Sequence, residues 1–200
     1  KDQERMESAG MTLIPGQEGF IIYTVTINPP DSDEEQDPLA DKRVRQALNY
    51  AMDRETIIEQ ALFGAGQRKV THFPEWSIAY FEELEESYPF DLEKAKELLT
   101  EAGYPDGGFS LVTIMPNTDP FYEAAAVIWG ADLATLGITL ELEPLDMTTY
   151  TSRRFGTQET NNRPTYDLDL SGQGRQHLDP QGLWSNSAYR LLNSPVYPVE

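Results

Sequence analysis

The chain reads as an α/β domain, a mixed sheet flanked by helices, and three observations predict that class. From residue 109 onward helical and strand patterns alternate, which is how a layer of sheet covered by helices is built. Residues 138–143 alternate strictly: Ile138, Leu140 and Leu142 are apolar, Thr139, Glu141 and Glu143 polar, so one strand face is core and the other wet. Residues 44–52 and 92–102 instead repeat apolar side chains every three or four positions, the mark of helices with one packed face.

The first strand is expected over residues 20–27, where FIIYTVTI is rich in β-branched and aromatic side chains. Asn28, Pro29 and Pro30 stop it, because proline cannot donate to a ladder, and the acidic stretch 31–41 with Pro38 reads as a solvated loop. A helix opens near Asp41, with Val44, Ala47, Leu48, Ala51 and Met52 on one face. Asp53 caps the next, Ile57, Ile58, Ala61 and Leu62 form its buried stripe, and Gly64 ends it. Residues 66–88 have no period, and Phe73, Trp76, Tyr80 and Phe81 are scattered among prolines and glutamates. That stretch is either a long surface loop or a lid.

Asp91 caps a helix carrying Leu92, Ala95, Leu98, Leu99 and Ala102, stopped by Gly103 and Pro105. A turn through Pro105, Asp106, Gly107 and Gly108 leads to a strand over residues 109–115. Asp119 followed by Pro120 opens the next helix, which runs to about Leu136 and closes at Gly137. After the strand from Ile138, Asp146 caps a helix through Phe155. Tyr166, Leu168 and Leu170 alternate with Asp167, Asp169 and Ser171, a strand expected to end near Gly172. Beyond Gly174 no period is visible, and nowhere is there an internal repeat.

Composition narrows the function classes. With 39% hydrophobic residues, ten Tyr, eight Phe and three Trp among 200, the chain has material for a packed core and is not wholly disordered. Its net charge of −19 repels phosphate backbones, which excludes nucleic acid as a partner. A solvated acidic surface explains that charge more simply than a cationic partner does. The absence of cysteine removes disulfides, thiolate metal sites and Cys nucleophiles. No apolar run approaches the about 20 residues that cross a bilayer, and residues 1–10 lack the apolar stretch of a signal peptide. The chain is therefore either cytosolic or a piece whose targeting segment lies elsewhere.

Catalytic and metal constellations are not visible. His72 and His177 are the two histidines; His177 with Asp179 makes at most half a metal site, and a solvated loop histidine is the simpler reading, so no metal or cofactor is assigned. No nucleophile elbow, phosphate loop or complete dinucleotide fingerprint occurs, since Gly172-Gln173-Gly174 lacks the third glycine and a following helix. Carboxylate pairs such as Glu143 with Asp146 can be drawn, but nothing in the sequence separates their environments. The aromatics Phe73, Trp76, Tyr80 and Phe81 are a ligand platform or, more simply, anchors for a long loop. The residues alone lean away from an enzyme, and no catalytic residue is assigned.

Several blocks in order carry a family resemblance: DKRVRQALNYAMDR at residues 41–54, YPFD at 88–91, LEKAKELLTEAGYPDGG at 92–108 and LGITLELEPLDMTTY at 136–150. Over about residues 20 to 185 the chain resembles the family 5 extracellular solute-binding proteins of ABC importers, receptors for dipeptides, oligopeptides, nickel and related solutes. The resemblance implies one lobe of a bilobed, type II-like periplasmic-binding-protein fold that closes on its ligand and delivers it to membrane permease subunits. Members are usually much longer, so the chain resembles an excerpt. Residues 1–28 would end the first lobe and enter the second, 29–172 would form the second lobe, and 173–200 would cross back.

The same resemblance places ligand contacts at that crossing, on Gly172, Gln173, Gly174, Arg175 and Gln176. In the family a tryptophan and then an acid that holds a peptide's amino group often stand there. Here Gln173 takes the tryptophan's place, and Arg175 or Gln176 the acid's, so the expected ligand is a peptide or peptide-sized polar solute held without that acid. Arg175 either faces the cleft and recognises an anionic or carbonyl-rich group, or is a surface arginine paired with one of many acids. Arg43 and Arg45 are expected to pair with nearby acids. The implied protein is a monomer, periplasmic or a cell-surface lipoprotein. Its alternatives are a signalling or accessory receptor without transport, or a hydrolase on a similar lobe.

Overall fold

A computed structural model describes residues 5–6, 8–12, 21–28, 37–70, 80–157, 160 and 164–174. In chain order these form β1 (Ile21–Ile27), a 3-10 turn (Pro38–Ala40), α1 (Lys42–Tyr50), α2 (Arg54–Ala61), the short α3 (Glu82–Glu85) and α4 (Leu92–Glu101). Then follow β2 (Phe109–Pro116), α5 (Pro120–Thr135), β3 (Ile138–Leu145), α6 (Met147–Phe155) and β4 (Leu168–Gly174).

Aspartate starts nearly every helix. The side chains of Asp37, Asp41, Asp53, Asp91, Asp119 and Asp146 each accept a backbone N–H of the first turn, at 2.7–3.0 Å. A carboxylate there satisfies an orphan donor and faces the positive end of the helix dipole. Part of the acidic excess thus does local structural work. Arg43 grips Asp41 at 2.5 Å as expected, but Arg45 donates to the carbonyls of Leu39 and Ala40 at 2.7 and 2.8 Å rather than to an acid. Those carbonyls end the 3-10 turn and would otherwise lack donors.

The sheet order is β1-β4-β2-β3. Strands β2, β3 and β4 are parallel, and β1 is antiparallel to β4. The starts of β2 and β3 are pinned by a backbone contact: Gly108 N donates to Gly137 O at 2.9 Å. A Cβ built on Gly137, whose φ is +76°, would lie 2.0 Å from the Asp106 carbonyl oxygen, so only glycine allows this approach. The contact sets the register Phe109↔Ile138.

One face of the sheet carries the main core, where Leu39, Val44, Leu48, Leu99, Leu111, Trp129, Leu133, Ile138 and Leu168 are buried among α1, α2, α4 and α5. The other face is covered by α6, with Tyr150 packed on Ile114 and Tyr166. Strand β4 differs from its expected course: it begins at Leu168 and continues past Gly172 to Gly174, because β1 extends the ladder through Gly172↔Tyr23 and Gly174↔Ile21. Asp169 and Ser171, polar in the alternation, are fully and almost fully buried beneath α6.

The aperiodic stretch 66–88 contains α3. Arg68 crosses back to cap its end, donating to the carbonyls of Glu85, Ser87 at 2.6 Å and Tyr88 at 3.2 Å. Lys69 lies 5.0 Å over the Tyr80 ring, and Phe81 is exposed. Phe73 and Trp76 lie outside the described residues, as do His72 and His177.

Candidate functional site

Parallel strands end on a common edge, and in open α/β sheets ligands bind outside the carboxyl ends of the strands. Here β2 ends at Pro116, β3 at Leu145 and β4 at Gly174, with the start of β1 beside the last. Asn117 N donates to Leu145 O at 2.8 Å and ties two of these ends together.

Two clusters of side chains flank the end of β4. On the main-core face, Tyr23 donates its hydroxyl to Asp119 Oδ2 at 3.0 Å, while Oδ1 of the same carboxylate caps α5. The Tyr23 ring lies 4.0 Å from that of Phe121 and 5.5 Å from that of Tyr122. Burial and then the Asp119 carboxylate push the Tyr23 phenol up to about 12. Burial also raises Tyr122, with Asp119 adding to it and the Gly172 backbone opposing.

On the opposite face, Tyr150 and Arg154 stand one helical turn apart on α6 and both reach Asp169 of β4. Tyr150 donates to Asp169 Oδ1 at 2.6 Å, Arg154 Nη1 donates to the Tyr150 oxygen at 2.9 Å, and Arg154 Nε stands 3.0 Å from Asp169 Oδ2. That last contact is an ion pair by distance but is not aligned as a hydrogen bond. Burial first and the Asp169 charge second raise the Tyr150 phenol far above its ordinary value, against Arg154 and the Ser171 hydroxyl. All three phenols are therefore neutral O–H groups at physiological pH.

Gly172 is exposed at the edge and opposes Tyr23, and the backbones of Gln173 and Gly174 pair with Ile22 and Ile21. Arg175 and Gln176 lie outside the described residues. Sequence reasoning took Asp119 only as a cap and missed Tyr23, Tyr122 and the Tyr150–Arg154–Asp169 cluster. One signal was present, since Tyr150 and Arg154 at i, i+4 share a helix face. The carboxylates Glu143 and Asp146 do not act together: Glu143 pairs with Arg153, and Asp146 caps α6. Among the described residues there is no His or Cys, no cluster of acids able to hold a metal, and no helix long and apolar enough to cross a membrane.

The carboxyl edge of three parallel strands, with exposed Gly172 at the end of β4, is the place where open α/β sheets bind ligands. The family model described as bacterial extracellular solute-binding proteins, family 5 middle, matches residues 1–190, and the chain belongs to that family. It is 32% identical to heme-binding protein A of Haemophilus influenzae, over 98% of this chain and 37% of that protein. It is 33% identical to a dipeptide-binding protein of Pseudomonas aeruginosa, over 94% of this chain and 33% of that protein. Among solved structures, it matches the periplasmic binding protein DppA of Helicobacter pylori in complex with the peptide STSA, with a TM-score of 0.70 and 26% identity. That match covers 90% of this chain and 32% of the other. The chain thus spans about a third of the length of the relatives it matches.

Proposed function

We propose that the chain forms most of one lobe of an extracytoplasmic receptor for an ABC importer, which closes by a hinge around a peptide or peptide-sized polar solute and delivers it to a permease. In this reading residues 1–28 lead in from the other lobe, 29–172 are the second lobe and 173–200 cross back. The observation that carries it is the convergence of three parallel strand ends on one edge, where β4 leads directly into residues 175–180. Membership of a family of solute-binding proteins supports binding without covalent chemistry and a location outside the cytoplasmic membrane.

Relatives of similar identity are named for heme, dipeptides and glutathione, so the ligand is to be found by direct retention. Mass spectrometry of small molecules carried by the purified full-length protein should reveal a polar solute of peptide size. A protein that retains none, and binds none from a dipeptide and tripeptide library, would refute the reading. Within it, Gly172, Gln173, Gly174, Arg175 and Gln176 contact the ligand. Arg175→Ala should weaken binding of the retained molecule by about 1.5 to 3 kcal/mol if the guanidinium makes a charged hydrogen bond. Arg175→Lys should restore only part, since an ammonium cannot reproduce a two-pronged fork. Unchanged affinity in the alanine variant removes Arg175 from the site.

A further inference from the structure

A row of polar side chains crosses the sheet beneath α6, three to five residues before the end of β4. Thr24 of β1 donates to the Ser171 carbonyl at 3.3 Å, and its hydroxyl lies 3.4 Å from that of Ser171. Two residues earlier on β4, Tyr150 donates to Asp169 at 2.6 Å, and Arg154 touches both Tyr150 and Asp169. Asp169 is fully buried, Ser171 is 2% exposed and Tyr150 4% exposed.

Such a row is an expensive way to hold a helix on a sheet. An apolar side chain of similar volume at position 169 would pack as well, without the desolvation of a carboxylate and a guanidinium. What the polar row adds is direction. Apolar packing lets α6 slide, whereas a hydrogen bond from Tyr150 and an ion pair from Arg154, two side chains of one helix on one carboxylate, fix both its height and its rotation over β4. The row also includes Ser171, the residue before Gly172, so the backbone that enters the crossing is held from both sides: by Thr24 of β1 at Ser171, and by Tyr150 of α6 two residues earlier at Asp169. Glycines at 172 and 174 give that backbone little stiffness of its own.

We propose that Asp169 is a positioning residue for the ligand-binding crossing: through Tyr150 and Arg154 it locks α6 to the end of β4 and fixes the course of residues 171–174. The proposal rests on the receptor reading for its functional meaning, but its test needs no ligand. Hydrogen exchange read by mass spectrometry on the full-length protein compares peptides covering residues 167–174 with peptides covering 109–116. In Asp169→Asn, which keeps the shape and removes the charge, the first peptide should exchange about tenfold faster or more, and the second should change by less than about twofold. Tyr150→Phe removes one hydroxyl from the row and should accelerate the same peptide by a smaller factor. It decides the matter if Asp169→Asn fails to fold.

Equal acceleration of both peptides would show that the row only stabilises the lobe, and no acceleration at 167–174 would show that it fixes nothing. Either result overturns the positioning role. Ligand retention by the native protein is measured separately, so the receptor reading can fail while the local result stands, and the reverse.

Discussion

Replacing Gly137 by alanine should destabilise the lobe through a backbone clash that Gly107 shares across the same turn but that Gly103 does not. Gly137 sits at φ +76°, where an L side chain is strained by about 1 to 2 kcal/mol. Its new Cβ would lie 2.0 Å from the Asp106 carbonyl oxygen, a main-chain atom that no rotamer change can move. Forcing the two turns apart adds an overpacking penalty of about 1 to 3 kcal/mol, for a total of about 2 to 5 kcal/mol. Gly103 is the control: its φ is +94°, but nothing lies within 4 Å of its added Cβ, so Gly103→Ala should incur only the conformational strain. The stiffening of the unfolded chain by alanine is common to both and cancels in the comparison. Guanidinium titrations followed by tryptophan fluorescence and far-UV circular dichroism give the two midpoints, interpretable if the slopes agree. Two variants within about 0.5 kcal/mol of each other would refute the argument that the turn contact is what requires glycine. Because the contact aligns β2 with β3, a confirmed difference would also tie the register of their carboxyl ends to this turn.

Three further outcomes are expected. Asp91→Ala should cost about 1 kcal/mol by leaving the Lys94 N–H without its cap acceptor, and Asp91→Asn should recover most of it in the same denaturation assay; an alanine variant as stable as the native chain would contradict the capping role. Burial raises the Asp167 carboxyl in the fold, partly offset by the Val112 N–H it accepts at 2.6 Å. A raised acid penalises the folded state above its folded pKa and the penalty fades as pH falls through that value, so Asp167→Asn should be at least as stable as the native chain at pH 7 and lose this advantage on acidification; thermal melts in which the variant is weaker at pH 7 would reverse that sign. Asp119→Asn should bring the Tyr23 phenol down from about 12 toward its ordinary 10.0, read by carbon NMR of the ring; an unmoved titration would remove Asp119 as a cause.

Local chemistry alone determined much of this lobe. Asp41, Asp53, Asp91, Asp119 and Asp146 mark helix starts because capping involves only neighbours in sequence, and the spacing of Val44, Ala47 and Leu48, or of Ala95 and Leu99, marks packed faces for the same reason. The β2-α5-β3 unit was likewise legible, bounded by Gly108, Asp119 and Gly137. For the candidate site, family resemblance pointed only to the segment from Gly172 to Gln176, and the side chains that surround the end of β4 left no mark in the sequence beyond the i, i+4 spacing of Tyr150 and Arg154. Only tertiary structure decided that β4 lies between β1 and β2, and that order is why its ladder runs on to Gly174. Only the placement of α6 decided that Asp169 and Ser171 are buried. An alternation of leucine with aspartate looks the same in sequence whether the polar face meets water or a helix bearing Tyr150 and Arg154. Tyr23 and Asp119, 96 positions apart, meet because β1 and the start of α5 reach the same edge, and pairings at that separation leave no periodic trace in the chain.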